Sequence, residues 1–168
     1  NSQEKSDLTH VVSITQKIDI VQQQEYITDN NYPSWLIYRN SDFDRIAEEM
    51  QLGVFDAFRD RQIVNSMLSQ TGKYRVLKSR NIGSNSIVDI AGYDSYISDI
   101  NNLAVSRYIN AENVVLVPNL SYAPRACFLP KNTIANGSVA FLTLKNNNTA
   151  LSETDLDFFA TREFRLYY

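Results

Sequence analysis

Tyr74-Arg75-Val76-Leu77-Lys78 and Asn113-Val114-Val115-Leu116-Val117-Pro118-Asn119-Leu120-Ser121-Tyr122 are the two apolar runs on which the fold turns. The second run holds four consecutive aliphatic residues, the mark of a central strand covered on both faces. Pro118 cannot donate to a sheet, so a bulge or a sheet edge is expected from there on. A segment with helical spacing precedes each strand. Between Asp42 and Gln70 the residues Phe43, Ile46, Met50, Val54 and Phe58 recur at three and four, and Val64, Met67 and Leu68 resume the pattern. That spacing predicts a long amphipathic helix over about 42–70, packed on a sheet. Ser41 reads as its N-cap, with Asp44 three residues on, and Gly72 as its stop. Ile100, Leu103, Ala104 and Tyr108 predict a second helix over about 99–110. The expected fold class is therefore α/β, an α+β sandwich: a mixed sheet of about four to five strands with both helices packed on it.

Working outward, Leu8 to Gln22 alternates apolar Val12, Ile14, Ile18 and Ile20 with polar residues, which predicts one strand or two broken near Gln16. Asp29 to Asn31 is a turn signal, and Trp35 to Tyr38 has strand length. Ser86 to Ile100 fits neither period. A loop with Pro124 and Pro130 leads to an apolar run at Ser138–Leu144, then an asparagine-rich turn over 145–149. Ser152 with Asp155 caps a single helical turn ending near Phe159, and Glu163 to Tyr168 alternates like a last strand. Residues 1–7 are polar and expected to fray. With no repeat or linker in the chain, residues 8–168 are expected to form a single domain.

Composition sets limits on the partner. The chain has 168 residues, of which 43% are hydrophobic and 21% charged, which is ordinary globular material. Ten Tyr, eight Phe and one Trp supply bulk for a core. A net charge of −3 and a pI near 5.1 argue against a nucleic-acid backbone binder. Arg75, Lys78 and Arg80 are the nearest approach to a basic patch, and they read as a solvated face. One cysteine, Cys127, excludes a disulfide-stapled secreted module. No apolar run approaches the roughly 20 residues of a membrane span. Asn1 is not a natural start, so a removed leader or lipid-anchor segment is expected ahead of it. The acceptors at Asn119, Asn136 and Asn147 carry little weight in so asparagine-rich a chain.

The polar residues offer little chemistry. His10 is the sole histidine and sits at a strand edge, so a Ser-His-Asp or Cys-His site has one base at most. Cys127 is flanked by apolar neighbours and reads as a small buried hydrophobe. Asp42, Asp44, Glu48 and Glu49 serve a helix start and solubility. Glu153, Asp155 and Asp157 have the alternation of a calcium loop but lack its glycine, since Phe158 stands in that place. Five glycines in the chain form no phosphate-binding motif. No catalytic, cofactor-binding or metal residue is therefore assigned, and no cofactor is expected. Phe158, Phe159, Phe164, Tyr167 and Tyr168 read as core beneath the long helix rather than as an exposed recognition patch.

The order of elements resembles a known group. A helix leads into Gly72-Lys73-Tyr74-Arg75-Val76-Leu77-Lys78-Ser79-Arg80, and a second helix ends in Tyr108-Ile109-Asn110-Ala111-Glu112-Asn113-Val114-Val115-Leu116-Val117. This pattern is similar to that of the curli-secretion and penicillin-binding-protein-activator lipoproteins, and of flagellar accessory proteins. Tyr74-Arg75-Val76-Leu77 matches that group's F-R-V-V-x-R, with Arg80 displaced. Ala111 to Val117 matches its G-A-D-y-V-L-x-G segment without the glycines. Val139–Leu144 and the last strand look like the group's closing pair.

The resemblance implies a non-enzymatic scaffold or assembly factor of a bacterial cell-envelope machine, acting by protein–protein contact. It implies a periplasmic or outer-membrane-associated location, membrane association only through a removed lipid anchor, and a ring-forming homo-oligomer. No nucleic-acid partner is expected. One alternative is a small enzyme using carboxylates or Cys127. The other is a capsid-like or adhesive structural subunit, suggested by the Asn- and Tyr-rich second half.

Overall fold

The computed structural model describes residues 8–12, 18–22, 41–146 and 149–167. The expected frayed segment 1–7, the turn at 29–31 and the strand at Trp35 to Tyr38 lie outside them. The chain divides into two compact units, residues 1–50 with Tyr167 and residues 51–166 with Tyr168.

The first unit contains an antiparallel pair, β1 (Leu8–Val12) with β2 (Ile18–Gln22), in which His10 faces Ile20. The break near Gln16 thus separates two strands. Helix α1 (Ser41–Glu49) follows, with Phe43, Ile46 and Ala47 buried at helical spacing. Asp42 and Asp44 occupy its first turn, where the helix dipole favours negative charge.

The second unit carries two sheets. Strands β3 (Phe55–Arg59), β9 (Val139–Leu144), β6 (Val114–Pro118) and β7 (Cys127–Phe128) form an antiparallel sheet in that order. Strands β5 (Ser95–Ile97), β4 (Tyr74–Leu77) and β8 (Thr133–Ala135) form a second sheet, in which β4 runs parallel to β8 and antiparallel to β5. Helices α2 (Glu153–Asp157) and α3 (Arg162–Tyr167) close the chain. The fold class is α/β of the mixed kind.

Strand β6 explains why its sequence is uninterruptedly apolar. Val114 and Leu116 enter the main core beside Val76, Leu77, Ile134 and Phe141. Val115 points the other way, into a smaller cluster with Ala126 and Leu156. Both faces are covered, so period-2 alternation has no use there. Pro118 ends the strand opposite Val139, where its missing N–H costs no ladder bond.

The long helix over 42–70 is not formed. Helix α1 ends at Glu49, and Gly53, four residues on, adopts a left-handed φ of +70° in the turn that leads into β3. Phe58, which fitted the helical stripe, is instead a half-buried position of β3, with Phe55 the other. The four-residue step from Val54 to Phe58 satisfies either reading, and pairing with β9 decides between them. Asp60 then ends the strand: its Oδ2 accepts the Gln62 and Ile63 N–H groups at 3.0 and 2.8 Å. Residues 65–67 form only a 3-10 turn.

The second helix is likewise a 3-10 segment, Ala104–Tyr108, whose buried Val105 and Tyr108 lie three residues apart. Asn110 follows at φ +59° and stops it. The closing strand expected at Glu163 to Tyr168 is helix α3 instead. With no strand there, β9 takes β3 and β6 as its neighbours. The cap at Ser152 forms as read: its Oγ accepts the Asp155 N–H at 3.3 Å, and Asp155 Oδ2 accepts the Ser152 N–H at 2.8 Å. Strands β7 and β8 fall in what read as a proline loop.

Candidate functional site

Pro118 and Pro124 bracket the loop that leaves β6, and hydrogen bonds fix it from within. The Asn119 N–H donates to the Ser138 carbonyl at 3.0 Å, and its side-chain amide donates to the Gly137 carbonyl at 2.6 Å. Ser121 Oγ donates to the Ala123 carbonyl at 2.6 Å. This held turn leaves Leu120 at 88% and Tyr122 at 111% of full exposure. Solvent exposure of two large apolar side chains one residue apart is costly, and the chain does not fold either of them inward.

A groove of about 180 Å³ lies beside the loop, lined by Val117, Pro118, Ser121, Leu142, Phe159 and Phe164, with Pro124 and Arg125 completing it. Each wall comes from a different element: the end of β6, the loop, β9, and the C-terminal helices. Phe158, Phe159 and Phe164 meet edge to face, with ring centres 5.1 to 6.5 Å apart. Phe158 is 38% exposed, so these rings form an apolar rim as well as a packing surface. Phe159 packs against the smaller core cluster of Val115, Ala126 and Leu156, while Phe158 gives up the core reading and lies exposed. Arg125 donates from Nη2 to the Ser79 carbonyl at 3.2 Å.

The basic patch at Arg75, Lys78 and Arg80 is a polar network rather than a solvated face. Arg75 donates to Asp94 at 2.8 Å and to Asp89 at 2.6 Å. The other Asp94 oxygen takes the Asn81 amide at 2.7 Å, and Asn81 is wholly buried. Burial pushes the Asp94 carboxyl up, but the Asn81 amide, the Ile90 N–H and the Arg75 charge outweigh it and hold it below the usual range. Lys78 donates to the Tyr93 carbonyl and to Ser95 Oγ, and its ammonium lies 4.0 Å from the Tyr93 ring centre. Burial lowers its pKa, with Asp94 opposing the shift. Arg80 covers the same ring at 4.9 Å. With Arg75 held by Asp89 and Asp94 and Lys78 by Tyr93 and Ser95, the patch does not present three free charges to a phosphate chain.

The remaining candidates fall into structural roles. Cys127 is 2% exposed, and burial pushes its thiol up to about 12, so it is protonated at neutral pH and covered from solvent. Asp155 caps α2, and Asp42 and Glu49 both lie 4.0 Å from Arg45 on the exposed side of α1. Among the described residues, no group of three or more His, Cys, Asp or Glu could hold a metal ion. A shallow polar depression lies over Asp60, lined by Arg59, Arg61, Asn136 and Ser138. Asp60 itself is covered, and its Oδ1 has no hydrogen-bond partner among the described residues.

Sequence reasoning did not find the groove. Leu120 and Tyr122 read as the tail of a strand, and only their position after Pro118 hinted that they leave the sheet. No family model matches the chain, and no curated protein matches it significantly. Among the described residues, no helix is long and apolar enough to cross a membrane.

Proposed function

We propose that this protein is a non-enzymatic contact module, which binds a protein partner through the Leu120–Tyr122 loop and the apolar groove beside it. The observation that carries this reading is the pair of fully exposed apolar side chains on a loop tied down by three hydrogen bonds. A contact surface whose backbone is already fixed loses little entropy on binding, and exposed aromatic anchors next to a pocket are the usual centres of binding energy. The buried, protonated Cys127 and the capping role of Asp155 lend the enzymatic alternative no support.

The setting in a cell-envelope assembly, as a secretion or flagellar accessory scaffold at the periplasmic or outer-membrane side, rests on the resemblance of the β4 and β6 segments alone. The test is affinity capture from cells that make the protein, comparing the native chain with a Leu120→Ser, Tyr122→Ser double variant, alongside fractionation. A discrete partner held by the native chain and lost with the double variant is the expected result. Equal capture by both chains would remove the loop from the contact, and a purely cytosolic location would remove the envelope setting.

A further inference from the structure

Of the 17 asparagines in the chain, Asn136 alone is followed by glycine, which carries no Cβ to hinder approach to its own nitrogen. The pair opens the turn between β8 and β9, where the Val139 N–H donates to the Asn136 carbonyl at 3.0 Å. Asn136 Oδ1 accepts the Ser138 N–H at 3.1 Å and the Ser138 hydroxyl at 2.7 Å. A side-chain carbonyl bonded to the N–H two residues on folds its carbon back over the intervening peptide nitrogen, here that of Gly137. The Ser138 hydroxyl is itself aimed, since its oxygen accepts the Ser79 N–H at 3.0 Å. The Gly137 N–H and Asn136 Nδ2 donate to no group among the described residues, and both residues are half-buried rather than sealed from water. Arg59 and Arg61 line the depression over this turn against one carboxylate, Asp60, whose Oδ2 is already taken by two N–H groups. The local field therefore favours negative charge developing at Asn136.

We propose that Asn136 is a site of spontaneous deamidation in the folded protein, with the two Ser138 donors serving as its oxyanion hole. The Gly137 nitrogen, its proton lost to hydroxide, attacks Asn136 Cγ, and negative charge moves onto Oδ1 where Ser138 holds it. Collapse expels Nδ2 as ammonia, with water giving the further proton and regenerating hydroxide, and leaves a five-membered imide. Water then opens the ring at either carbonyl, giving aspartate or isoaspartate at position 136. Isoaspartate routes the main chain through Cβ and so adds a carbon just before Gly137. The Gly137 carbonyl is the acceptor for Arg59 Nε at 2.5 Å and for the Asn119 side-chain amide at 2.6 Å. Displacing it frees Asn119, so the 119–123 loop loses one of its ties as the protein ages. The reaction does not depend on whether that loop binds a partner.

The test is to hold the full chain at mildly alkaline pH for days and follow the amide-to-acid mass gain by peptide mapping, in buffer and in urea. Asn136 is expected to convert faster in the folded chain than in the unfolded one, and ahead of Asn65 and Asn85, which precede serines. Ser138→Ala should slow the conversion about 3- to 10-fold, the worth of one hydrogen bond to the developing charge. Ser138→Thr keeps the hydroxyl and should restore the rate. The melting temperature of the native chain should fall on ageing, while that of Asn136→Gln, which cannot close the five-membered ring, should hold. A folded chain that converts at Asn136 more slowly than the unfolded chain, or no faster than at Asn65 and Asn85, overturns the proposal. That comparison needs no variant, so it decides the matter even where Ser138→Ala does not fold. A folded Ser138→Ala chain that reacts at the native rate overturns the oxyanion role.

Discussion

Asn81 Nδ2 donates to Asp94 Oδ1 at 2.7 Å, joining the turn after β4 to the loop before β5. The same amide reaches the Val88 carbonyl at 2.9 Å, while Asn81 Oδ1 accepts the Lys78 N–H at 3.0 Å. One buried side chain thus satisfies polar groups from three stretches of chain. Replacing it with a shape-matched apolar residue leaves a carboxylate and two backbone groups short of partners. Asn81→Leu is expected to cost about 2–4 kcal/mol, read as a lower urea midpoint at unchanged slope.

Asp94 also sets a pH dependence. Its carboxyl lies below the ordinary range in the folded state, so its contribution is fully present above the unfolded value of about 3.9. The contribution is lost as pH falls from there through the folded value. Asp94→Asn should be less stable than the native chain at neutral pH, and the gap should narrow below about pH 4. Equilibrium unfolding of both chains across that range checks it; a gap that stays constant would mean Asp94 does not carry the effect.

Gly137 is required by the close approach of two chain segments. A Cβ built there would lie 2.6 Å from the Asp60 carbonyl oxygen, a backbone atom with no freedom to swing aside. Gly137→Ala is expected to cost about 1–3 kcal/mol, the usual range for forced overpacking, and to appear as a lowered melting temperature.

The Cys127 thiol, buried and raised to about 12, should resist alkylation in the folded protein. Labelling with iodoacetamide at neutral pH is expected only at the rate of unfolding and to become rapid in denaturant. Fast labelling of the native chain would place the thiol in an accessible site and revive the enzymatic alternative.

The sequence by itself determined the elements whose neighbours are written into their own side chains. Val114 to Val117 could only be a strand covered on both faces, because four aliphatic residues in a row leave no polar side to face water. Tyr74 to Leu77, the paired strands at Leu8–Val12 and Ile18–Gln22, and the Ser152 cap were readable for the same local reason. The tertiary structure decided the rest. The four-residue step from Val54 to Phe58 suits one face of a helix or one face of a strand equally, and pairing with β9 settled it as strand. The polar network around Asp94 and the groove beside Tyr122 were not legible. Their members lie up to 47 positions apart in sequence, from Val117 to Phe164, and only the packing of β6, β9 and the last helices brings them to one face. Periodicity reports which side of an element is buried; it carries no information on which other element will cover it.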